Sequence, residues 1–363
     1  MLIQDAINLN VTIACLDPDP NAPCKNLVSE FIIGDLNDYK TVYDFGLNKS
    51  VLTIEIEHVN VKALFDLEKK GVKVFPQPAV LEMVKDKGLQ KNFYRENNIP
   101  TADFFIVKNK AEIQNHISQF PIMQKLCKGG YDGKGVIALK TEKDIENGFD
   151  APSVLEKFVD FQTEISVIVA RNEKGEIKTF PMVDMEFNSQ VNLVEYLFSP
   201  STLSKEIQNK ANEIAIKIIS KLSMVGILAV EMFVTKNGEV LVNEIAPRPH
   251  NSGHQTIEAN KTSQYAQHLR AILGLPLGLT DTIYPSVMVN ILGEPGFEGE
   301  AKYEKLEDVL NLPGTYVHLY GKKITKPFRK MGHVTVVGSN LDLVKRQAIL
   351  IKQLLKVKAW VYW

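Results

Sequence analysis

Apolar residues in the first eighty or so positions fall into short runs parted by polar turns. LIQDAINLN spaces its apolar residues as a short helix would, while VTIACLD (11–17) is a compact apolar run ended by the turn-forming DPDPNAP. SVLTIEIEHV (50–59) and GVKVFP (71–76) are further β-rich runs. This alternation predicts parallel strands with crossover helices, an α/β open sheet of the doubly wound kind. From about residue 83 the pattern changes to one helix, LEMVKDKGLQKNFYREN, a break at Pro100, and short strands FFIV, PIMQKL and VIALK. LEKFVDF reads as a strand, and Glu164 begins another that runs to a hairpin at Glu173-Lys174-Gly175. Ile207, Ala211, Ile214, Ile218 and Leu222 then form the core-facing stripe of a helix. These changes divide the chain at 1–82, 83–152 and 153–363.

The runs ILAVEMFV (227–234) and EVLVNEIA (239–246) are joined by Asn237-Gly238, a pair suited to a two-residue turn whose positions both need φ > 0. That turn pairs Lys236 with Glu239, and counting outward sets Glu231 opposite Glu244. Facing like charges repel. On the hairpin alone two readings balance: a solvated hairpin whose glutamates splay apart, or a divalent cation between them, as Mg²⁺ is held by one or two carboxylates and substrate phosphates. The following residues favour the cation. In EIAPRPHNSGH (244–254) Pro247 and Pro249 push Ala246 and Arg248 toward extended backbone, so Arg248 and His250 project to the side of Glu244. A guanidinium and an imidazole beside a metal ligand suit a small oxyanion next to a phosphate. Asn251, Ser252 and His254 add hydrogen-bonding groups, and His254 alone reads best as part of a Pro-rich loop.

Between two of the short strands lies KGGYDGKG (128–135), with four glycines in eight residues. Such density lets backbone N–H groups approach phosphates and makes a mobile flap, or else a plain glycine-rich hairpin. No Ser or Thr follows the lysine, so it is not a Walker loop. Lys125 and Lys91 bring positive charge to the same region. Glu55 and Glu57 lie at the carboxyl end of the third run, where open sheets bind ligands. In HLYGKKITKPFRKMGHVTV (318–336), Lys322, Lys323, Lys326, Arg329 and Lys330 cluster around Gly321 and Gly332, and the loop position favours a phosphate site over a merely solvated face.

Composition narrows the class. A length of 363 residues allows two or three domains. Forty-two basic and 43 acidic residues, net charge −1, argue against a nucleic-acid surface. Cys15, Cys24 and Cys127 are too few and too scattered for a disulfide framework or a zinc site, which suits a reducing cytoplasm. No apolar run reaches membrane-spanning length, and the N-terminus lacks a basic region followed by an apolar one.

Lysines ahead of a glycine flap, EKFV followed by a glutamate, and a glutamate pair on a hairpin resemble the ATP-grasp enzymes. NEIAPRPHNSGH, with KGGYDGKG, EIEHV and FRKMGHV, is similar along nearly the whole chain to the N5-carboxyaminoimidazole ribonucleotide synthetases of purine biosynthesis. The resemblance implies an ATP-grasp fold with three parts: an N-terminal doubly wound sheet, a small flap-bearing domain, and a C-terminal α+β domain. It implies carboxylation of the exocyclic amine of 5-aminoimidazole ribonucleotide by bicarbonate, with ATP and Mg²⁺ (or Mn²⁺), through carboxyphosphate. Lys91 and Lys125 would bind ATP phosphates; Glu156 and the backbone of Lys157, Phe158 and Val159 the adenine; and Glu164 the ribose. Glu231 and Glu244 would hold the metal, and Arg248 and His250 would face bicarbonate, His250 either orienting it or moving a proton. The flap is Gly130, Tyr131, Asp132, Gly133, Lys134 and Gly135. Its Tyr131, Asp132 and Lys134, with Glu55, Lys322, Arg329 and Lys330, would hold the ribonucleotide. A homodimer is implied, with neither nucleic acid nor membrane as partner.

Members of that family begin with a strand and a glycine-rich turn reading roughly GGGQLGRM, and this chain starts at what reads as the methionine of that turn. The first strand and its turn are therefore expected to be absent and neighbouring edges open. A different ribonucleotide amine as substrate, or a truncated, non-catalytic nucleotide-binding protein, are the alternative functions.

Overall fold

The computed structural model describes residues 1–130, 135–187 and 193–360. Its first part comprises α1 (Leu2–Asn8), β1 (Ala14–Asp17), β2 (Glu30–Ile33), α2 (Tyr39–Gly46), β3 (Val51–Leu52), α3 (Val61–Lys69), β4 (Lys73–Val74) and α4 (Pro78–Val84). β1 pairs with β2 and β3 with β4, both in parallel. The two ladders do not join. Leu16, Val42, Leu52, Leu64, Leu67 and Val74 nevertheless share one core, so both pairs cover a single apolar layer.

The run at 50–59 is a strand only at Val51–Leu52. Its partner runs out: Phe75 N–H donates to Leu52 C=O, and Pro76 has no N–H to continue. Glu55 and Glu57 consequently sit in a bend just beyond the strand. The expected single helix after residue 81 is also two, α4 and α5 (Lys87–Glu96). Asp86 divides them, its carboxylate accepting from the Gly88 and Leu89 N–H groups as an N-cap. Lys87 is thereby placed in the first turn of α5.

A small antiparallel sheet follows, built from β5 (Phe104–Val107), β6 (Ile122–Leu126), β7 (Val136–Leu139) and β8 (Ser153–Lys157), with α6 (Lys110–Ile113) after β5. Its order is β5-β8-β6-β7. The remaining chain forms β9 (Phe161–Arg171), β10 (Ile177–Thr179), β11 (Val183–Phe187), β12 (Val194–Ser199), α7 (Lys205–Lys221), β13 (Gly226–Thr235), β14 (Val240–Ala246), α8 (Thr256–Ala259) and α9 (Gln264–Ile272). Then come β15 (Ser286–Leu292), β16 (Gly299–Glu304), α10 (Leu306–Leu310), β17 (Thr315–Leu319), β18 (Ile324–Thr325), β19 (Lys330–Val337), α11 (Leu341–Leu354) and β20 (Lys356–Ala359). The large sheet runs β14-β13-β9-β11-β12-β15-β19-β17, and α7 buries Ala211, Ile214 and Ile218 against Val167, Leu228 and Val230. Among the described residues no helix is long and apolar enough to cross a membrane.

The β13–β14 hairpin reaches its expected pairing by an unexpected route. Thr235 N–H donates to Glu239 C=O, Gly238 N–H donates to Thr235 C=O, and Gly238 has φ +78°. The loop is thus three residues long with its glycine left-handed, and Val234 faces Val240, one residue off the register of a two-residue turn. Between the pairs Met232↔Val242 and Glu231↔Glu244, Asn243 is an extra residue on β14. This bulge restores the register. Glu231 faces Glu244 because two irregularities cancel.

The cysteines are less scattered than their spacing suggests. Cys15 Sγ lies 3.5 Å from Cys24 Sγ, both free thiols, while Cys127 is buried elsewhere. Burial and then the neighbouring thiol push Cys15 up to about 12.

Candidate active site

β9, β13 and β14 lie side by side, and their registers put Glu164 and Ser166, Glu231, and Glu244 on one face. Half of the Glu244 side chain is open to water, yet burial is the largest influence on its carboxyl. A group reached by solvent but ringed by protein lies on the floor of a cleft. Burial, then Glu244 and Glu164, push Glu231 up to about 8. Burial would raise Glu244 too, but Lys87 and Lys125 outweigh it and hold Glu244 below the usual carboxylate range. Burial pushes Glu164 up to about 7. Two facing carboxylates present the oxygen ligands that a hard divalent cation takes, and a cation between them would replace the proton that Glu231 otherwise keeps near neutrality. Among the described residues no cluster of three or more His, Cys, Asp or Glu could hold a metal, so two carboxylates completed by substrate phosphates is the arrangement that fits.

Lys87 supplies a cation that the sequence reading missed. Its Nζ lies 3.1 Å from Glu244 Oε2, and Glu244 raises its pKa against the effect of burial. The expected phosphate lysine on this helix, Lys91, is one turn further along and almost wholly buried. Its Nζ donates to Thr101 Oγ1 at 2.6 Å and pairs with Glu156 Oε1 at 3.2 Å, and burial pulls it down to about 8. Lys125 on β6 pairs with the other oxygen of Glu156 at 2.9 Å and donates to Asn243 Oδ1, the bulge residue, at 3.0 Å. Burial alone would raise Glu156, but Lys125 and Lys91 hold it low. The side chain of Glu156 is therefore committed to two lysines rather than turned to an adenine. Lys157 ends β8, its N–H donating to Asp103 C=O, and Phe158, which is exposed, and Val159 lead on toward β9.

On the other side of Glu231, His250 Nε2 stands 3.6 Å from Glu231 Oε1. Burial, then Arg248 and Lys330, pull His250 down to about 3, so the ring is neutral. Arg248 donates through Nε to Glu57 Oε1 at 2.8 Å and through Nη1 to Pro249 C=O at 3.2 Å. A bidentate grip on an oxyanion thus needs its terminal nitrogens or release from Glu57. Glu55, next to Glu57 and exposed in the same cleft, is pushed up to about 6 by burial and partly restored by Arg248. Lys330 begins β19 near enough to Glu231 and His250 to lower both. Its neighbours turn to backbone: Arg329 Nη1 donates to Ile324 C=O at 2.7 Å and Lys322 Nζ to Lys330 C=O at 2.8 Å.

The glycine loop closes β6 onto β7, with Leu126 N–H donating to Gly135 C=O. Gly135 has φ +74°, and a Cβ there would meet Gly130 Cα and Leu126 Cδ1 at 3.1 Å, so this closing position requires glycine. Tyr131, Asp132, Gly133 and Lys134 lie outside the described residues.

A carboxylate pair on a large sheet, met across a cleft by Lys87 from α5 and by Lys125 from a smaller antiparallel sheet, defines an ATP-grasp enzyme, and residues 92–265 match the ATP-grasp domain. Residues 1–85 match the ribonucleotide synthetase preATP-grasp domain, and 286–347 the phosphoribosylaminoimidazole carboxylase C-terminal domain. The chain belongs to the N5-carboxyaminoimidazole ribonucleotide synthetase family. It is 37% identical to the N5-carboxyaminoimidazole ribonucleotide synthase of Bacillus subtilis, over 94% of this chain and 89% of that one. The crystal structure of the Thermotoga maritima synthetase has TM-score 0.92 and 41% identity, covering 99% of this chain and 96% of that one. An Aspergillus clavatus synthase in complex with ADP and 5-aminoimidazole ribonucleotide has TM-score 0.88 and 30% identity, covering 97% and 94%. The phosphoribosylaminoimidazole carboxylase of Ogataea methanolica is longer: 36% identical over 96% of this chain, which spans 66% of its length.

Proposed function

We propose that this chain uses ATP and bicarbonate to carboxylate the exocyclic amine of 5-aminoimidazole ribonucleotide, giving N5-carboxyaminoimidazole ribonucleotide. The observation that carries the reading is the two-sided cleft around Glu231: Lys87 and Lys125 reach Glu244 and its hairpin from one side, and His250, Arg248 and Lys330 stand on the other. One side suits nucleotide phosphates and the other a small oxyanion.

Lys87 and Lys125 meet the β- and γ-phosphates, with Glu156 fixing the direction of Lys125. The link at 157–159 offers backbone to the adenine edge, and Glu164 accepts from ribose hydroxyls. Glu231 and Glu244 hold Mg²⁺, or Mn²⁺, which when bound neutralises charge on the transferring phosphoryl group. Bicarbonate is a poor electrophile, so phosphoryl transfer to it precedes attack by the amine, and carboxyphosphate is the intermediate. Arg248 and Lys330 neutralise its oxyanion charge and His250 orients it. Glu55, Lys322 and Arg329 line the side that takes the ribonucleotide, and the glycine loop with Tyr131, Asp132 and Lys134 excludes water from the reactive species. The domain limits at 1–82, 83–152 and 153–363 follow this division of labour. A cytoplasmic homodimer belongs to the same reading; the free thiols suit a reducing compartment, and light scattering measures the assembly.

The test is ADP release with ATP, Mg²⁺, bicarbonate and the aminoimidazole ribonucleotide, leaving out each in turn. Dependence of ADP release on all four is expected. Undiminished release without the ribonucleotide, or preference for another ribonucleotide amine in a substrate panel, overturns the assignment.

A further inference from the structure

His250 is the N-cap of the short turn Asn251–Gly253, and its ring accepts the Ser252 backbone N–H at 3.2 Å through Nδ1. Caps are ordinarily short oxygen-bearing side chains. An imidazole in that place has a consequence an oxygen lacks, because a backbone N–H can only donate. Nδ1 must therefore present its lone pair, which leaves the ring proton on Nε2. Ser252 Oγ lies 2.9 Å from the same Nδ1 and 2.7 Å from Ser166 Oγ, and both serines are buried. One direction of donation uses both hydroxyl protons: Ser166 to Ser252, and Ser252 to Nδ1. Ser166 is itself the β9 residue facing Glu231. Gln264 holds the backbone of His250 from both sides, accepting its N–H at 2.8 Å and donating to its C=O at 2.7 Å, so the ring's base cannot drift.

We propose that Ser252, backed by Ser166, is a positioning residue that fixes His250 as the tautomer protonated on Nε2 and polarises the ring. His250 is then a directed hydrogen-bond donor to the oxyanion beside Glu231 and not the base that takes a proton at Nε2. Donation into Nδ1 along the serine chain strengthens the opposite N–H as a donor, as hydrogen bonds in series polarise one another. The role of the oxyanion rests on the carboxylation proposed above; the tautomer does not.

The test joins spectroscopy to kinetics. In long-range ¹H–¹⁵N spectra of histidine-labelled protein, the His250 signals are those absent from His250→Gln. Wild type should show a pyridine-type Nδ1 and a pyrrole-type Nε2, and in Ser252→Ala, where only the backbone N–H still donates to Nδ1, the tautomer should stay and the Nδ1 resonance should move toward that of a more weakly hydrogen-bonded pyridine-type nitrogen. Ser252→Ala should lower kcat about five- to tenfold, the loss of one hydrogen bond, with KM for both substrates nearly unchanged. Ser166→Ala, one bond further away, should lower kcat by less. Placed on His250→Gln, Ser252→Ala should cost nothing more. A pyrrole-type Nδ1 in wild type, unchanged His250 signals in both serine variants, or a double variant as slow as the product of the singles overturns the proposal. Absence of ribonucleotide-dependent ADP release from wild type would instead overturn the carboxylation reading and leave the tautomer result standing.

Discussion

Lys87 Nζ and Glu244 Oε2 stand 3.1 Å apart, which brings the start of a helix in one part of the chain onto the carboxylate that faces Glu231 in another. This contact, and not one from Lys91, ties α5 to the cleft floor. The two lysines are one helical turn apart and do different work.

Exchanging each for methionine separates them. Lys87→Met should lower ADP release at least tenfold while the melting temperature stays near that of wild type, because its partner Glu244 is half open to water. Lys91→Met leaves Glu156 buried with one cation fewer, a loss of about 3 kcal/mol, and should lower the melting temperature by several degrees. Equal thermal losses in both variants would contradict the assignment.

Glu244→Gln removes one of two facing charges. Turnover should nearly vanish, whereas the metal-free protein should fold normally, since Glu231 no longer opposes a second carboxylate. Near-normal ADP release would sink the metal pair.

The same pair sets a pH dependence. Glu231 rises from an ordinary value near 4.5 to about 8 in the folded chain. A group whose pKa is raised on folding gives stability that is complete below its unfolded value and lost as pH climbs through the folded one. Melting temperature in chelator should therefore fall between about pH 6.5 and 8, above the range in which His250, His254, His268 and His333, kept neutral by burial, raise it as pH rises, and saturating Mg²⁺ should offset the fall at the upper end. Glu55 and Glu164, raised to about 6 and about 7, slope the same way, so Glu231→Gln should reduce the fall without abolishing it. An unchanged slope in that variant would mean Glu231 is not the titrating group.

The basic segment before β19 should divide by function. Lys330→Ala, beside Glu231 and His250, should lower kcat. Arg329→Ala, whose guanidinium turns to the Ile324 carbonyl, should mainly raise KM for the ribonucleotide. Equal weakening of ATP binding by Arg329→Ala would place that arginine on the nucleotide side.

Much of the architecture was legible because period and turn chemistry are local. The α7 stripe and the strands of the small sheet follow from neighbours in sequence, and so does the extended backbone that carries Arg248 and His250 past Glu244. What escaped depends on partners far along the chain. β3 stops at Leu52 because Pro76 ends its neighbour, not for any reason within 50–59. Lys91 and Lys87 both look available on a helical wheel, and only the position of Glu156 on β8 decides which is buried. Glu57 takes its role from Arg248, 191 residues later, whose Nε bonds it. Asp86, by contrast, is a local signal: an N-cap aspartate before Lys87 marks a helix start inside an apparently continuous helical pattern.

The hairpin that carries Glu231 and Glu244 also constrains how such a chain can change in length. One residue too many in the turn and one too many at Asn243 together leave the glutamates face to face. Losing either alone would slide β14 by a residue and turn Glu244 to the opposite side of the sheet. Insertions and deletions in this segment are therefore tolerable only in compensating pairs, a parity condition that acts on the gene before any question of catalysis arises.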